Sequence, residues 1–285
     1  MNNILVTGAN GQLGSEIKAL AHLFNEFVFF FTDKDDLDIT NIDVIRTFIK
    51  AKNINSIINC AAYTAVDLAE DEFEMADLLN HKATKNLAKI TKEFNLKLIH
   101  ISTDYVFNGK SNVPYNENDI TDPESIYGKT KLNGELSLKK IAPKNSIIIR
   151  TAWLYSSYGN NFIKTMLRLG KEKDVLNVIY DQIGSPTYAL DLALVILKIL
   201  PKINNKKTET YHYTNEGVCS WYDFAIAIFE IKKIKCQVIP IPTAAYPTKA
   251  ARPHYSILDK QKIKNSFDIT IPHWRNSLKE CLDKL

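Results

Sequence analysis

Thr7-Gly8-Ala9-Asn10-Gly11-Gln12-Leu13-Gly14 gathers three of the chain's 10 glycines into one short series, although the whole chain runs to 285 residues. Clustering against so sparse a background marks a backbone that needs what glycine alone permits. The run before it, Asn3–Val6, reads as a strand, and Gly11–Phe24 after it as a helix. In such a unit the first glycine turns the chain out of the strand. The second lets a pyrophosphate approach the main chain, and the third lets the helix pack closely on the sheet. The helix N-terminus adds free N–H groups and a partial positive charge. The spacing is GxxGxxG rather than the GxGxxG of the standard dinucleotide fingerprint, so the flanking strand and helix carry much of the argument. Gly8, Asn10, Gly11, Gln12, Leu13 and Gly14 are the candidate cofactor cradle.

Working outward, short β-branched runs alternate with helical patterns. Phe27–Phe31 is a strand, Ile42–Ala51 a helix, Ser56–Cys60 a strand and Glu72–Phe94 a long helix. Leu96–Ser102 is a strand, Tyr127–Lys140 a helix and Ser146–Thr151 a strand. Strands apolar on both sides, alternating with helices, imply an α/β fold: a Rossmann-type doubly wound parallel sheet built with right-handed crossovers. Beyond Thr151 the rhythm fails and prolines gather (Pro240, Pro242, Pro247, Pro253). That part reads as a smaller α+β C-terminal substrate lobe ending in an amphipathic tail, Trp274–Leu285. The expected division is 1–150, with the chain returning to the sheet near 175–200, for a dinucleotide-binding domain, and 151–174 with 201–285 for the lobe.

Asp33 lies 19 residues past Gly14, at the end of the second strand. An acid there accepts from both ribose hydroxyls and favours NADH over NADPH. Lys34 beside it tolerates a 2′-phosphate, so either reduced nicotinamide dinucleotide stays open.

Composition removes other classes. With 45% hydrophobic and 24% charged residues the chain is globular. A net charge of +4, scattered without a basic stripe, gives no nucleic-acid footprint. The most apolar stretch, Leu190–Leu200, is broken by Asp191 and Lys198 and does not suit a membrane span. Cys60, Cys219, Cys236 and Cys281 show no paired metal or redox spacing, as expected of a reduced, cytoplasmic protein. The six histidines suggest no ligand set, and His100 reads as a satisfied core residue.

Tyr127-Gly128-Lys129-Thr130-Lys131 opens the fifth-strand-side helix and puts a phenol and an ammonium on one face. With 13 tyrosines and so many lysines, about 1.4 Tyr-x-x-x-Lys pairs are expected by chance, and one occurs. Its position gives it weight: the strand Leu98–Ser102 ends in Thr103-Asp104, and strand C-termini are where ligands sit in such sheets. Reduction of a ketone by hydride leaves an alkoxide to be protonated. Tyr127 donates that proton, Lys131 favours the phenolate and holds the nicotinamide ribose, and Thr103 polarises the carbonyl.

The glycine loop, the strand-end hydroxyl and Tyr-x-x-x-Lys together resemble the extended short-chain dehydrogenase/reductases. Gly11–Gly14, Asn59–Asp67, Ser102–Phe107, Tyr127–Lys131, Arg150–Trp153, Asn161-Phe162, Asp181–Thr187 and Arg252-Pro253 are similar, more narrowly, to the dTDP-4-dehydrorhamnose reductase family. The resemblance implies hydride transfer to C4 of a dTDP-linked 4-keto-6-deoxysugar, for surface polysaccharide synthesis. It implies that Asp38 and Ile39 flank the adenine and that Ala61, Ala62 and Tyr63 line the cofactor cleft, with Asn80 near it. Val66, Asp67, Asp104 and Trp153 fall at sugar positions, and Asn161, Gln182, Thr187 and Arg252 at the nucleotide end. Some members carry a metal-linked dimer; Glu16 fits one of its positions, Leu190 stands at another, and no catalytic metal is expected. The partner is then a small dTDP-sugar, with a homodimer open. Two alternatives remain at this stage: a reductase or epimerase for another nucleotide sugar, and a non-catalytic relative similar to a regulatory subunit of methionine adenosyltransferase.

Overall fold

A computed structural model describes residues 2–141 and 143–285. β1 (Asn2–Thr7) runs through the glycine loop into α1 (Gln12–Leu20), followed by β2 (Phe27–Thr32), α2 (Ile42–Ala51) and β3 (Ser56–Asn59). The long helix expected over 72–94 forms as α3 (Phe73–Asp77) and α4 (Thr84–Phe94), joined by a π-helical turn, Leu78–Ala83. β4 (Lys97–Thr103), α5 (Ile126–Ile141) and β5 (Ser146–Thr151) complete the regular half.

The remainder comprises β6 (Leu154–Tyr155), α6 (Phe162–Glu172), β7 (Val175–Ile179), β8 (Ile183–Gly184), β9 (Thr187–Tyr188) and α7 (Ala189–Ile199). β10 (Glu209–His212), β11 (Cys219–Ser220), α8 (Trp221–Lys232), β12 (Gln237–Ile241), α9 (Gln261–Phe267) and α10 (Trp274–Asp283) follow. Polar side chains start several helices: Asn41 caps α2, Asn161 caps α6, and Ser220 with Asp223 forms a capping box on α8.

Six strands form one parallel sheet in the order β2-β1-β3-β4-β5-β10. Along β1, Ile4 and Val6 face one layer and Leu5 the other, the period-2 alternation of a strand. Ile4 and Val6 join Ile58, Ile99, Ile147 and Ile149 beneath Leu13 and Ile17 of α1, against which α7 packs. Leu5, Ile57, Leu98 and Ile148 meet Ile45, Ile49, Leu87 and Leu138 of α2, α4 and α5 on the opposite face. Helices on both faces explain why β3 and β5 are buried at every position.

The expected return to the sheet near 175–200 is corrected. β7 pairs in parallel with β12, Val175 opposite Gln237 through Ile179 opposite Ile241, as a separate two-stranded ribbon. Its residues alternate exposed and buried, which suits a strand wetted on one side and not a strand covered on both. The sixth sheet strand is β10, with Glu209 opposite Ile147, and of the 175–200 stretch it is α7 that covers the sheet.

Candidate active site

β1 is flanked by β2 and β3, so the chain leaves the sheet in opposite directions around β1 and opens a crevice at the strands' C-terminal ends. A cleft of about 1510 Å³ occupies that crevice and extends toward the ribbon and the 241–253 segment. Gly8, Gly11, Gln12, Leu13 and Gly14 line one end, with Asp33, Lys34, Asp38, Ile39, Ala61 and Ala62 around them.

The glycine loop fits a bound dinucleotide. Gly8 has φ +66°, and a Cβ there would lie 2.6 Å from Ala61 N; at Gly14 it would lie 2.4 Å from Gly8 O. α1 starts at Gly11 with no side-chain cap and no acid in its first turn, which leaves its leading N–H groups for a phosphate. Asp33 closes the floor: its Oδ2 accepts from Asn10 N–H at 3.0 Å and its Oδ1 from Lys34 N–H at 2.8 Å. Asp38 Oδ1 accepts from both the amide and the hydroxyl of Thr40, fixing the turn beside the glycine loop's end of the cleft.

β4 delivers Thr103, and the first two turns of α5 deliver Tyr127 and Lys131, to the middle of the same cleft. Thr103 Oγ1 donates to Asp104 Oδ1 at 2.9 Å and accepts from Tyr105 N–H at 3.2 Å. Tyr127 is 9% exposed and meets Tyr105 edge to face, ring centroids 5.5 Å apart. Burial pushes its phenol well above the usual tyrosine range, opposed by the neighbouring Thr103 hydroxyl and reinforced by Asp104. Lys131, one helical turn from Tyr127, donates from its Nζ to Ile101 O at 2.7 Å. Lys131 itself is 2% exposed and desolvation lowers it to about 8, with Glu135 and Cys60 opposing. Desolvation also raises Asp104 to about 7, against hydrogen bonds led by Thr103.

Toward the other end, Val66, Asp67, Trp153, Gln182 and Arg252 line the cleft. Trp153 takes φ +49° and stacks on Trp221 with centroids 3.6 Å apart and planes 8° from parallel. Asp67 accepts from Ala250 N–H at 3.1 Å and pairs with Arg252, while Gln182 Nε2 donates to Thr243 Oγ1 at 3.2 Å. Asn161 belongs to the cofactor end: its Nδ2 donates to Gln12 Oε1 at 2.9 Å.

Three expected contacts do not line the cleft. Asn10 is exposed beside it, contributing its N–H to Asp33. Tyr63 turns its hydroxyl to Glu72 Oε2 at 2.6 Å. Thr187 is fully buried and donates to Ala152 O at 2.7 Å, locking the backbone next to Trp153. Asn80 works from behind, bracketing Tyr63 through its N–H and C=O and reaching Thr130 Oγ1 at 3.1 Å. His100 is buried with Nδ1 against Asn59 Nδ2 at 2.9 Å, but among the described residues its Nε2 has no partner, so it is half satisfied. Glu16 accepts from Ser156 Oγ at 2.6 Å, and Leu190 is buried.

Sequence reasoning missed Tyr105 and Trp221. Tyr105 sits within the quoted Ser102–Phe107 segment next to two chosen residues. Trp221 opens α8 and carries no local motif, so only the folded chain joins it to Trp153.

The family model for the RmlD substrate binding domain matches residues 1–285. A dTDP-4-dehydrorhamnose reductase of Aggregatibacter actinomycetemcomitans is 44% identical over 98% of each chain. A crystal structure of a dTDP-4-dehydrorhamnose reductase from Clostridium acetobutylicum superposes with TM-score 0.92 at 46% identity, covering 99% of this chain and 98% of that one. The Bacillus anthracis reductase, solved in complex with NADP, gives TM-score 0.95 at 39% identity over the whole of both chains. With the cradle and the Thr103–Tyr127–Lys131 constellation in one cleft and these matches over the full length, the chain belongs to the dTDP-4-dehydrorhamnose reductase family.

Proposed function

We propose that this chain reduces dTDP-4-dehydro-β-L-rhamnose at C4 to give dTDP-L-rhamnose, using NADPH or NADH. The observation that carries the reading is the convergence of Thr103, Tyr127 and Lys131 midway between the glycine cradle and the Trp153–Arg252 end. When bound in the cradle, the reduced nicotinamide supplies the hydride. Tyr127 holds a proton its burial makes hard to lose, and gives it to the oxygen at C4. Thr103 orients that oxygen through its hydroxyl, and Lys131 holds the ribose. Trp153 and Trp221 form an apolar wall for the deoxysugar and exclude water from the reacting carbon. Arg252 binds the diphosphate, leaving Asp67 to do so; a planar guanidinium suits that bidentate contact.

The test follows reduced-nicotinamide absorbance with dTDP-4-keto-6-deoxyglucose supplied before and after treatment with a 3,5-epimerase. Turnover is expected only after epimerisation. Turnover before it would point to a different nucleotide sugar, and none with either, despite cofactor binding, would overturn the reductase reading.

Cofactor choice gives a second expected outcome. The Asp33 carboxylate sits where a 2′-phosphate would come, so Asp33→Asn lowers the KM for NADPH relative to NADH by about tenfold, the effect of one repulsive charge at the cleft surface. Initial rates with both dinucleotides measure the ratio, and an unchanged ratio would clear Asp33 of that role.

A further inference from the structure

Glu135 lies one helical turn beyond Lys131 on α5 and is wholly buried. Arg150 of β5 grips its carboxylate with two parallel bonds, Nε to Oε1 at 2.9 Å and Nη2 to Oε2 at 2.7 Å. Arg150 is 1% exposed, its guanidinium 4.9 Å from the Phe107 ring centroid and its Nη1 3.4 Å from His212 Nε2. Such a pair, buried between sheet and helix, commonly adds no stability over apolar residues of the same volume. Its reason for being there lies next to it.

Lys131 is an ammonium drawn out of water with one hydrogen-bond partner among the described residues, the carbonyl of Ile101. A neutral carbonyl does not offset the loss of hydration of a full charge. From the elements packed around it, Lys131 is faced by Cys60 beyond β3, His100 on β4, and Tyr127 and Glu135 on its own helix. Burial holds the Cys60 thiol up at about 12, the Tyr127 phenol high, and His100 well below its usual range, so all three are neutral near pH 7. Glu135 is the anion. Around it stand Arg150 on β5, Ser102 on β4 and Lys139 on α5, whose Nζ is 3.8 Å away.

We propose that Glu135, one helical turn from Lys131 and fixed by Arg150, is a positioning residue that keeps the Lys131 side chain an ammonium where Ile101 O holds it in the cofactor cleft. The part of this that concerns turnover rests on the reductase reading above. The sign follows from electrostatics: without the carboxylate the buried ammonium loses its proton at lower pH. Turnover needs that ammonium, so its alkaline limb moves the same way.

The experiment compares wild type, Glu135→Gln and the double variant Glu135→Leu/Arg150→Met. Each is examined for the pH profile of kcat and, in the cofactor-free protein, for the 15N NMR titration of the Lys131 Nζ, assigned with Lys131→Met. The double variant fills the space with apolar atoms and is expected to melt cooperatively, so loss of fold does not mask the result. In Glu135→Gln the limb and the NMR midpoint are expected about one pH unit lower than in wild type; in the double variant, which removes the Arg150 cation as well, they are expected to move the same way by less. If neither variant, when folded, moves the midpoint and limb from their wild-type positions, the pair is a structural element and the proposal is overturned. If wild type does not turn over but the NMR midpoint still moves, the reductase reading fails while the positioning role stands.

Discussion

Tyr127→Phe is expected to lower kcat by about 10²–10⁴-fold, the usual worth of a positioned acid. Its NADH affinity and melting temperature stay close to wild type. The phenylalanine ring keeps the edge-to-face contact with Tyr105 and fills the same buried space, so the variant loses a hydroxyl and little packing. What it loses chemically is the proton donor at the reacting oxygen. Because burial holds the phenol in its neutral form well past neutrality, Tyr127 is ready to donate across the working pH range. The alkaline limb of turnover is therefore expected to follow Lys131, lowered to about 8, and not the tyrosine. Single-turnover rates and quenching of protein fluorescence by NADH separate the two effects. A variant within threefold of the wild-type rate would move the acid elsewhere, and the Asp104 carboxyl beside Thr103 would be the next candidate.

The regular half of the fold was legible because its signals are local. The glycine series, the apolar β1, β3 and β5 runs and the strand-end Thr103 each announce themselves within a few residues, and the parallel order follows from alternation. The second half was not, because its strands earn their places only in tertiary structure. Glu209–His212 is short and polar, yet it edges the main sheet; Val175–Ile179 is apolar, yet it pairs with the distant Gln237–Ile241. The same limit applied to the site. Spacing brought Tyr127 and Lys131 together but could not tell that Lys131 would reach for Ile101 O, or that Arg150 would meet Glu135 behind it. The family resemblance likewise selected Tyr63 and Thr187, whose hydroxyls fold back onto Glu72 and Ala152.

Asp104→Asn is expected to raise the melting temperature at pH 8 by about 5 °C or more, while leaving it nearly unchanged near pH 4. Asp104 is 3% exposed, its Oδ1 accepts from Thr103, and its Oδ2 has no hydrogen-bond partner among the described residues. Desolvation raises its carboxyl from 3.8 to about 7. A group that binds its proton more tightly when folded stabilises the protein fully below its unfolded value. That stabilisation is lost as pH rises from about 4 through about 7, and the difference corresponds to at most about 4 kcal/mol. Asparagine does not ionise, so the variant escapes the loss. Calorimetric melts of both proteins at pH 4 and pH 8 check this, and an equal difference at the two pH values would refute the ionisation. The native acid endures that cost in the middle of the cleft, and in the proposed reaction its Oδ2, which has no partner among the described residues, would accept from a sugar hydroxyl. The same substitution is accordingly expected to raise the KM for the dTDP-sugar by about tenfold or more, the worth of a hydrogen bond to a charged group. Ionised Asp104 also strengthens the hold of Tyr127 on its proton. Stability, substrate affinity and acid strength are thus tied through one buried carboxylate, and an asparagine there gains stability and a more acidic Tyr127 by giving up substrate affinity.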